Sequence, residues 1–390
     1  MPRNAPFSKS ILFVAGIFPP DIGGPATYCL RMAEDAVRRG YRVRVLAYGT
    51  ADRSRASYPF SIIRVPRYPF PVRVALFFSY LLVFGFRFRT WYAHGGLSAT
   101  LPALIAGRLL GKRIGVKVTG DYAWEQARNR GWILDDIDAF QNKKYPARLR
   151  VVVYLRAYVP RHADFVIVPS AYLARMVRGW GVYEKRICVV YNAVRVPTVM
   201  GDGERERICA EYGITGFALI TVARLVPWKG VAGLVSLMPK LLVCSPEYRL
   251  LVVGEGPEQE SLCRLAESLR VSHAVRFFGG MPHAETERLV AASDLFVLNS
   301  DYEGFSHVLL EAMGAGCPVA ARACGGNKEL ITDGENGYLL SATPEDGEWM
   351  RSIERARTDP GERALFAANA RRSFSRFTFD RMTEEAFAFL

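Results

Sequence analysis

Apolar runs of strand length alternate with helix-length amphipathic stretches along the whole chain. That rhythm belongs to parallel α/β sheets, whose neighbouring strands need a helical crossover between them. In the first half the candidate strands are Ile11–Ala15, Arg42–Ala47, Ile62–Val65, Ile114–Val118, Phe165–Val168 and Ile187–Tyr191. In the second half they are Phe217–Ala223, Leu250–Val253, Leu295–Leu298, Pro318–Ala321 and Tyr338–Leu340. The helical period is clearest from Glu258 to Arg270, where Leu262, Leu265, Ala266 and Leu269 share one face. With 390 residues, half of them hydrophobic, the chain can build two domains with their own cores. The stretch 196–216 holds Pro197, Gly201, Asp202 and Gly203 with weak periodicity, and reads as an inter-domain connection plus a short helix. The expectation is two α/β domains, 1–195 and 196–376, facing across a cleft with ligands at the carboxyl ends of the strands. The tail from Phe377 to Leu390 is helical with one apolar face and fits either domain.

Charge divides along the same line. Residues 1–195 hold 31 Lys+Arg against 11 Asp+Glu, a balance of +20; the remainder holds 20 against 27, a balance of −7. A basic first half favours an anionic surface or acceptor there, with ordinary solubility as the plainer alternative. The aromatic content and pI near 9.5 also raise nucleic acid as a partner. The basic residues are dispersed among strands and helices rather than gathered in a recognisable module, so no nucleic acid is expected. Seven scattered cysteines without a CxxC pair predict neither a disulfide framework nor a zinc site, and favour a cytoplasmic protein. Ile11 to Phe18 is followed at once by Pro-Pro-Asp and reads as a first strand rather than a leader. Val74 to Phe86, framed by Arg73, Arg87 and Arg89, is too short to cross a bilayer. It reads first as an ordinary buried helix, and second as a helix lying in a membrane interface with its arginines among headgroups.

The densest chemistry lies in Glu303-Gly-Phe-Ser-His-Val-Leu-Leu-Glu311 and the Ala-Met-Gly-Ala-Gly that follows. Ser306 is a candidate N-cap for a helix that Gly314 and Gly316 stop. Free amides around Val308 and Leu309 would then face the loop carrying Glu303, and a helix N-terminus receives phosphate readily. Glu311, one turn in, leans back toward the same spot. A diphosphate on the amides, a ribose at Glu311 and sugar hydroxyls at Glu303 would suit a nucleotide-sugar.

Other motifs fit around that element. Arg224 and Lys229 stand five apart after a strand and can clamp a diphosphate, stabilising charge on a departing nucleoside diphosphate without a metal. Gly254-Glu-Gly-Pro257 lacks the third glycine of a dinucleotide fingerprint and reads as a turn that lets a nucleotide approach the backbone. Gly23 and Gly24 open a helix after the first strand, as a phosphate-approaching loop or a plain tight turn. Asp121, after Ile114–Val118, is either a carboxylate facing the reacting sugar or a helix cap. Asp135, Asp136 and Asp138 superficially suggest a metal site but follow no clear strand, and the five histidines show no ligand spacing, so no metal is expected.

Assembled, these residues resemble a family 4 glycosyltransferase of GT-B fold, the retaining class. The resemblance rests on Phe18–Thr27, Tyr191–Val194, Arg224 with Lys229-Gly230, Gly254–Pro257 and Glu303 with Glu311. It implies two Rossmann-like domains, a C-terminal helix crossing back to the first, a donor held mainly by the second domain and an acceptor by the first. It implies that Arg224 and Lys229 bind the donor diphosphate, and that Glu303, Gly304, Phe305 and Ser306 hold the transferred sugar. Val308 and Leu309 would contact phosphate, Glu311 the ribose, Gly23 and Gly24 the donor phosphate, and the base would lie near Gly254 and Phe278 to Met281, at Gly279. Many relatives have His-Asp where this chain has Gly120-Asp121, so Asp121 is expected to take over part of that imidazole's role and to orient the acceptor.

The expected function is a retaining, metal-independent hexosyltransferase with no cofactor beyond its UDP- or GDP-sugar. It would work peripherally on the cytoplasmic face of the membrane, on a lipid-linked glycan. A soluble sugar or sugar phosphate acceptor is the near alternative. A nucleotide-sugar epimerase on a similar fold is the distant one, distinguished by consuming donor without acceptor.

Overall fold

The computed structural model describes residues 9–21, 23–49, 58–195, 201 and 203–390. The chain divides into two compact units, Met1–Tyr191 with Phe379–Leu390, and Asn192–Thr378. Of the expected connection, 196–200 and Asp202 lie outside the described residues. Its helical part, Glu204–Tyr212, is joined to the second unit by Arg205, whose guanidinium meets Asp294 at 2.8 Å.

The first unit has seven strands: β1 (Ser10–Ala15), β2 (Arg42–Tyr48), β3 (Ser61–Val65), β4 (Thr90–His94), β5 (Arg113–Lys117), β6 (Phe165–Val168) and β7 (Ile187–Val189). All pair in parallel, in the order β3-β2-β1-β4-β5-β6-β7. Every residue of β1 and β4 is buried, as expected of central strands covered by helices on both faces. β4 has no counterpart among the strands expected from sequence. Its five residues, Thr-Trp-Tyr-Ala-His, mix polar and aromatic side chains and lack the continuous aliphatic run that marks the others. On one face the core is built on Leu12, Val14, Phe77, Leu81 and Trp91.

The C-terminal helix Phe379–Phe387 belongs to this first unit. Phe387 lies 5.4 Å from the Tyr41 ring, and the Arg39 and Arg31 guanidinium groups cover Phe387 and Phe379.

Helix Phe70–Gly85 corrects the first reading of its segment. Only Phe77, Leu81 and Gly85 are buried, while Phe70, Val72, Val83 and Phe84, with Phe86 just beyond, are exposed. One stripe serves the core, and the apolar character of the rest is spent on the surface. Among the described residues no helix is long and apolar enough to cross a membrane.

The second unit has six parallel strands: β8 (Phe217–Val222), β9 (Tyr248–Val253), β10 (Val275–Gly279), β11 (Leu295–Leu298), β12 (Val319–Arg322) and β13 (Tyr338–Leu340). Their order is β10-β9-β8-β11-β12-β13. β10, an edge strand with Arg276 exposed, was also not among the expected strands. In both units strand order reverses beside the first strand, between β1 and β4 and between β8 and β11. Loops that leave such a switch point diverge to opposite sides of the sheet and open a crevice at the strand ends. Both units are therefore Rossmann-like, as the sequence pattern requires.

Candidate functional site

In the second unit the two loops leaving the switch point carry most of the expected site. The loop after β8 contains Arg224 and Lys229; the loop after β11 contains Glu303 to Ser306. Lys229 ends a single 3-10 turn, Pro227–Lys229, and its Nζ donates to Glu303 Oε1 at 2.6 Å. Ser300 Oγ donates to the same oxygen at 2.7 Å. Both bonds fall on Oε1, and among the described residues Oε2 takes no side-chain hydrogen bond. Glu303 is 8% exposed, a carboxylate that burial would penalise without the ammonium beside it. Arg224 is exposed at the end of β8.

Backbone contacts fix these loops to one another. Asn299 Nδ2 donates to the carbonyl of Gly230, at 2.9 Å. Gly326 N–H donates to the carbonyl of Glu303, also at 2.9 Å. Gly325, at φ 49°, lies so close that a Cβ would stand 1.9 Å from the Glu303 carbonyl oxygen, leaving no room for any side chain. Gly254 is pinned likewise: at φ 132° a Cβ would meet the Ala223 carbonyl oxygen at 1.9 Å. Its N–H donates to the Gly279 carbonyl, which ties the ends of β9 and β10 together. Gly254 thus sits directly beside the residue preceding Arg224.

Ser306 caps helix His307–Ala315 as expected, its Oγ accepting from Leu309 N–H at 3.3 Å. Gly316 ends the helix at φ 75°. The amide of Val308 lies in the first turn, where helical N–H groups have no intrahelical acceptor, whereas the Leu309 amide, expected on the phosphate, is taken by Ser306 Oγ. Gly304 and Phe305 lead into that turn, with the Phe305 ring 5.5 Å from Phe377. His307 Nε2 is bonded to Asn192 Nδ2 at 2.8 Å, so the imidazole serves the chain leaving β7.

Glu311 stands one turn further in. Burial, moderated by His283 at 4.0 Å and reinforced by Glu287, pushes its carboxyl up to about 7 from the ordinary 4.5. The folded state therefore holds a proton there that the unfolded state releases near pH 4.5. This contribution to stability is present below pH 4.5 and is lost as pH rises through about 7. Glu311→Gln is expected to flatten the part of the Tm–pH profile between 4.5 and 7, read by thermal melts across that range. A variant profile as steep as the wild type would show that Glu311 ionises normally in the fold.

In the first unit, Gly23 precedes helix Gly24–Arg38 at φ 147°, and its carbonyl accepts from Ala26 and Thr27 N–H. Asp121 departs from expectation. It is fully buried and caps helix Tyr122–Asn129, with Oδ1 accepting from the Ala123 and Trp124 amides at 3.0 and 3.1 Å. Oδ2 accepts from Gln141 Nε2 at 2.9 Å and from the Arg156 guanidinium. With both oxygens doubly engaged, a carboxylate has no acceptor capacity left for a substrate hydroxyl. The acceptor-orienting role is therefore withdrawn.

The Asp135 group is similarly committed. Asp135 binds Lys143 and Tyr145, Asp136 caps helix Ile137–Asn142, and Asp138 accepts from Tyr172. Among the described residues no cluster of His, Cys, Asp and Glu could hold a metal.

Ser300, Asn299 and Glu287 escaped the sequence reading, and His283 was set aside with the other histidines, since isolated polar residues carry no local signal of what they touch. The Gly325-Gly326 pair after β12 was a usable signal, because paired glycines at a strand's end mark close backbone approach.

Two family models match the chain: a Glycosyl transferase 4-like domain over residues 23–193 and Glycosyl transferases group 1 over 204–373. Glycogen synthase of Mycobacterium tuberculosis is 30% identical over 266 residues, 67% of this chain and 59% of that protein. A GDP-mannose-dependent alpha-(1-6)-phosphatidylinositol monomannoside mannosyltransferase of Mycolicibacterium smegmatis is 35% identical over 150 residues, 36% of this chain and 39% of the relative. The chain thus spans less than two thirds of either. Anabaena HepE, solved in complex with UDP and glucose, superimposes with a TM-score of 0.78 at 22% identity, covering 98% of this chain and all of that one. WaaG, a glycosyltransferase involved in lipopolysaccharide biosynthesis, gives 0.75 at 19% identity, covering 97% and 98%. The fold is that of GT-B glycosyltransferases.

Proposed function

The two units of this chain belong to the glycosyl transferase 4-like and group 1 families, and from that premise we propose that it moves a hexose from a UDP- or GDP-sugar to a glycan acceptor. The observation that carries this reading is the Lys229–Glu303–Ser300 cluster beside a capped helix start, all at one switch point. An ammonium has three donors, and one is spent on Glu303, so two remain for the β-phosphate oxygens of the donor. Arg224 supplies a second cation from the same loop, and the amide of Val308 at the helix start adds a donor that needs no reorganisation. Glu303 Oε2 takes a hydroxyl of the sugar, and Glu311 takes the ribose.

In this proposal the acceptor oxygen attacks on the face from which the diphosphate leaves. The leaving oxygen takes the acceptor proton, and the anomeric configuration is retained. Arg224 and Lys229 carry the charge a divalent ion would otherwise carry, so turnover is expected to survive a chelator.

The acceptor is proposed to be lipid-linked, at the cytoplasmic membrane face. Support comes from helix Phe70–Gly85, where exposed Phe70, Val72, Val83 and Phe84 lie close in sequence to exposed Arg67, Arg87 and Arg89. Apolar side chains entering an interface with arginines at the headgroups is the standard arrangement for peripheral binding.

The test begins with donors, of the kinds named for HepE and the mannosyltransferase. A UDP- or GDP-sugar at about 100 times its Kd should stabilise the protein by about 2.7 kcal/mol, read as a rise in Tm. Transfer to lipid-linked acceptors in anionic vesicles should then yield a product of retained configuration by NMR. No response to any nucleotide-sugar would end the proposal; an inverted product would end its mechanism.

A further inference from the structure

Glu311 is flanked by two ionisable side chains from another helix. Helix His283–Ala292 follows β10 and carries His283 and Glu287 one turn apart on one face. His283 Nε2 lies 3.2 Å from Glu287 Oε1 and 4.0 Å from Glu311 Oε1, so one imidazole stands between two carboxylates of different helices. Both carboxylates are mostly covered, whereas the imidazole is exposed. Beyond that imidazole, Glu287 Oε1 is buried with no hydrogen-bond partner among the described residues.

The other charged groups packed around Glu311 are engaged elsewhere. Arg288 pairs with Glu211 at 2.8 Å, and His307, one turn before Glu311, is bonded to Asn192. Arg371, from helix Pro360–Phe374, donates to the Ala315 carbonyl at the far end of the helix. Asp301, after β11, pairs with Arg322 of β12. Burial works most strongly against a charged Glu311; His283 favours the charge and Glu287 opposes it.

That balance bears on what Glu311 can hold. An ionised carboxylate grips a diol by accepting both O–H groups, one on each oxygen. Protonation turns one oxygen into a donor and replaces charge-assisted hydrogen bonds with ordinary ones about half as strong. Selection of a ribose at Glu311 therefore follows its proton.

We propose that His283 and Glu287 are positioning residues for Glu311, holding it between an imidazole and a second carboxylate and so making recognition of the donor's ribose dependent on pH. The inference rests on the reading that the second unit binds a nucleotide-sugar with its ribose at Glu311, and adds two residues to it.

The test titrates the full chain calorimetrically with UDP against dUDP, and with GDP against dGDP, from pH 5.5 to 8.5. Each deoxynucleotide lacks the 2′-hydroxyl but has the same phosphates, so phosphate ionisation cancels in the ratio of affinities. That ratio is expected to be about tenfold or more at pH 8.5 and to fall below about threefold at pH 5.5, with its midpoint near pH 7. Glu287→Gln removes the like charge and should move the midpoint to lower pH. His283→Gln removes the cation and should move it to higher pH. Glu311→Gln should leave a ratio that does not change with pH, and circular dichroism checks that each variant is folded. A purely structural role for His283 and Glu287 would change affinity for both sugars alike and leave the midpoint in place. Binding with a ratio flat across pH, or a midpoint that neither folded variant moves, overturns the inference and leaves the donor reading standing. Failure of every ribonucleotide to bind overturns the donor reading and this inference with it.

Discussion

Lys229→Met is expected to lower kcat by about 10²–10³-fold, because in the proposed mechanism it removes a fixed donor from the place where charge develops on the departing diphosphate. The same change leaves the 8%-exposed Glu303 without its ammonium. Breaking a well-buried pair from one side costs about 3–5 kcal/mol, and the partial exposure of Lys229 brings this nearer 2. For a unit of this size that is a fall in Tm of about 4–8 °C. The two effects separate in the double variant. Adding Glu303→Gln removes the stranded charge and should recover most of the lost Tm, while kcat stays low or falls further. Measured by thermal melting and initial rates, recovery of both together would mean that Lys229 acts only by holding Glu303. Recovery of neither would mean that the pair is not the source of the instability.

The cluster at the second unit's switch point was legible because its signals are local. Ser306 before an apolar run announces a cap, Gly316 announces the end, and both ends of helix His307–Ala315 fall where those residues direct. Lys229 and Glu303 are 74 positions apart, yet each stands after a recognisable strand, and parallel strands deliver their following loops to one edge. The surroundings of Asp121 in the first unit were poorly legible because its contacts are distant and unpatterned. Asp121 follows a strand just as Glu303 does, and nothing near it in sequence shows that Arg156, 35 residues on, and Gln141 close over it. β4 was missed for a related reason, since a strand of five with Trp, Tyr and His shows its burial only through its neighbours. Helix Phe70–Gly85 shows the limit of hydropathy itself: an apolar run fixes the length of the element but not which of its faces the core covers.

Asp121→Ala carries the other large effect, and it is expected in stability rather than turnover. The substitution removes a cap on helix Tyr122–Asn129, worth about 1 kcal/mol, and strands the buried Arg156 guanidinium, worth about 3 more. Together these predict a fall in Tm on the order of 10 °C. Asp121→Asn keeps an acceptor for the amides of Ala123 and Trp124 but not the charge, and should fall between the variant and the wild type. Arg156→Met in the alanine background should recover the larger share, since only the cap would still be missing. Turnover per folded molecule in Asp121→Asn is expected to stay within a few-fold of the wild type. A carboxylate that orients or deprotonates an acceptor behaves in the opposite way, costing about 10²–10⁴-fold in kcat with little change in melting. Melting curves and rates on Asp121→Asn therefore distinguish a cap from a catalytic group, and a large rate loss at unchanged Tm would restore Asp121 to the chemistry.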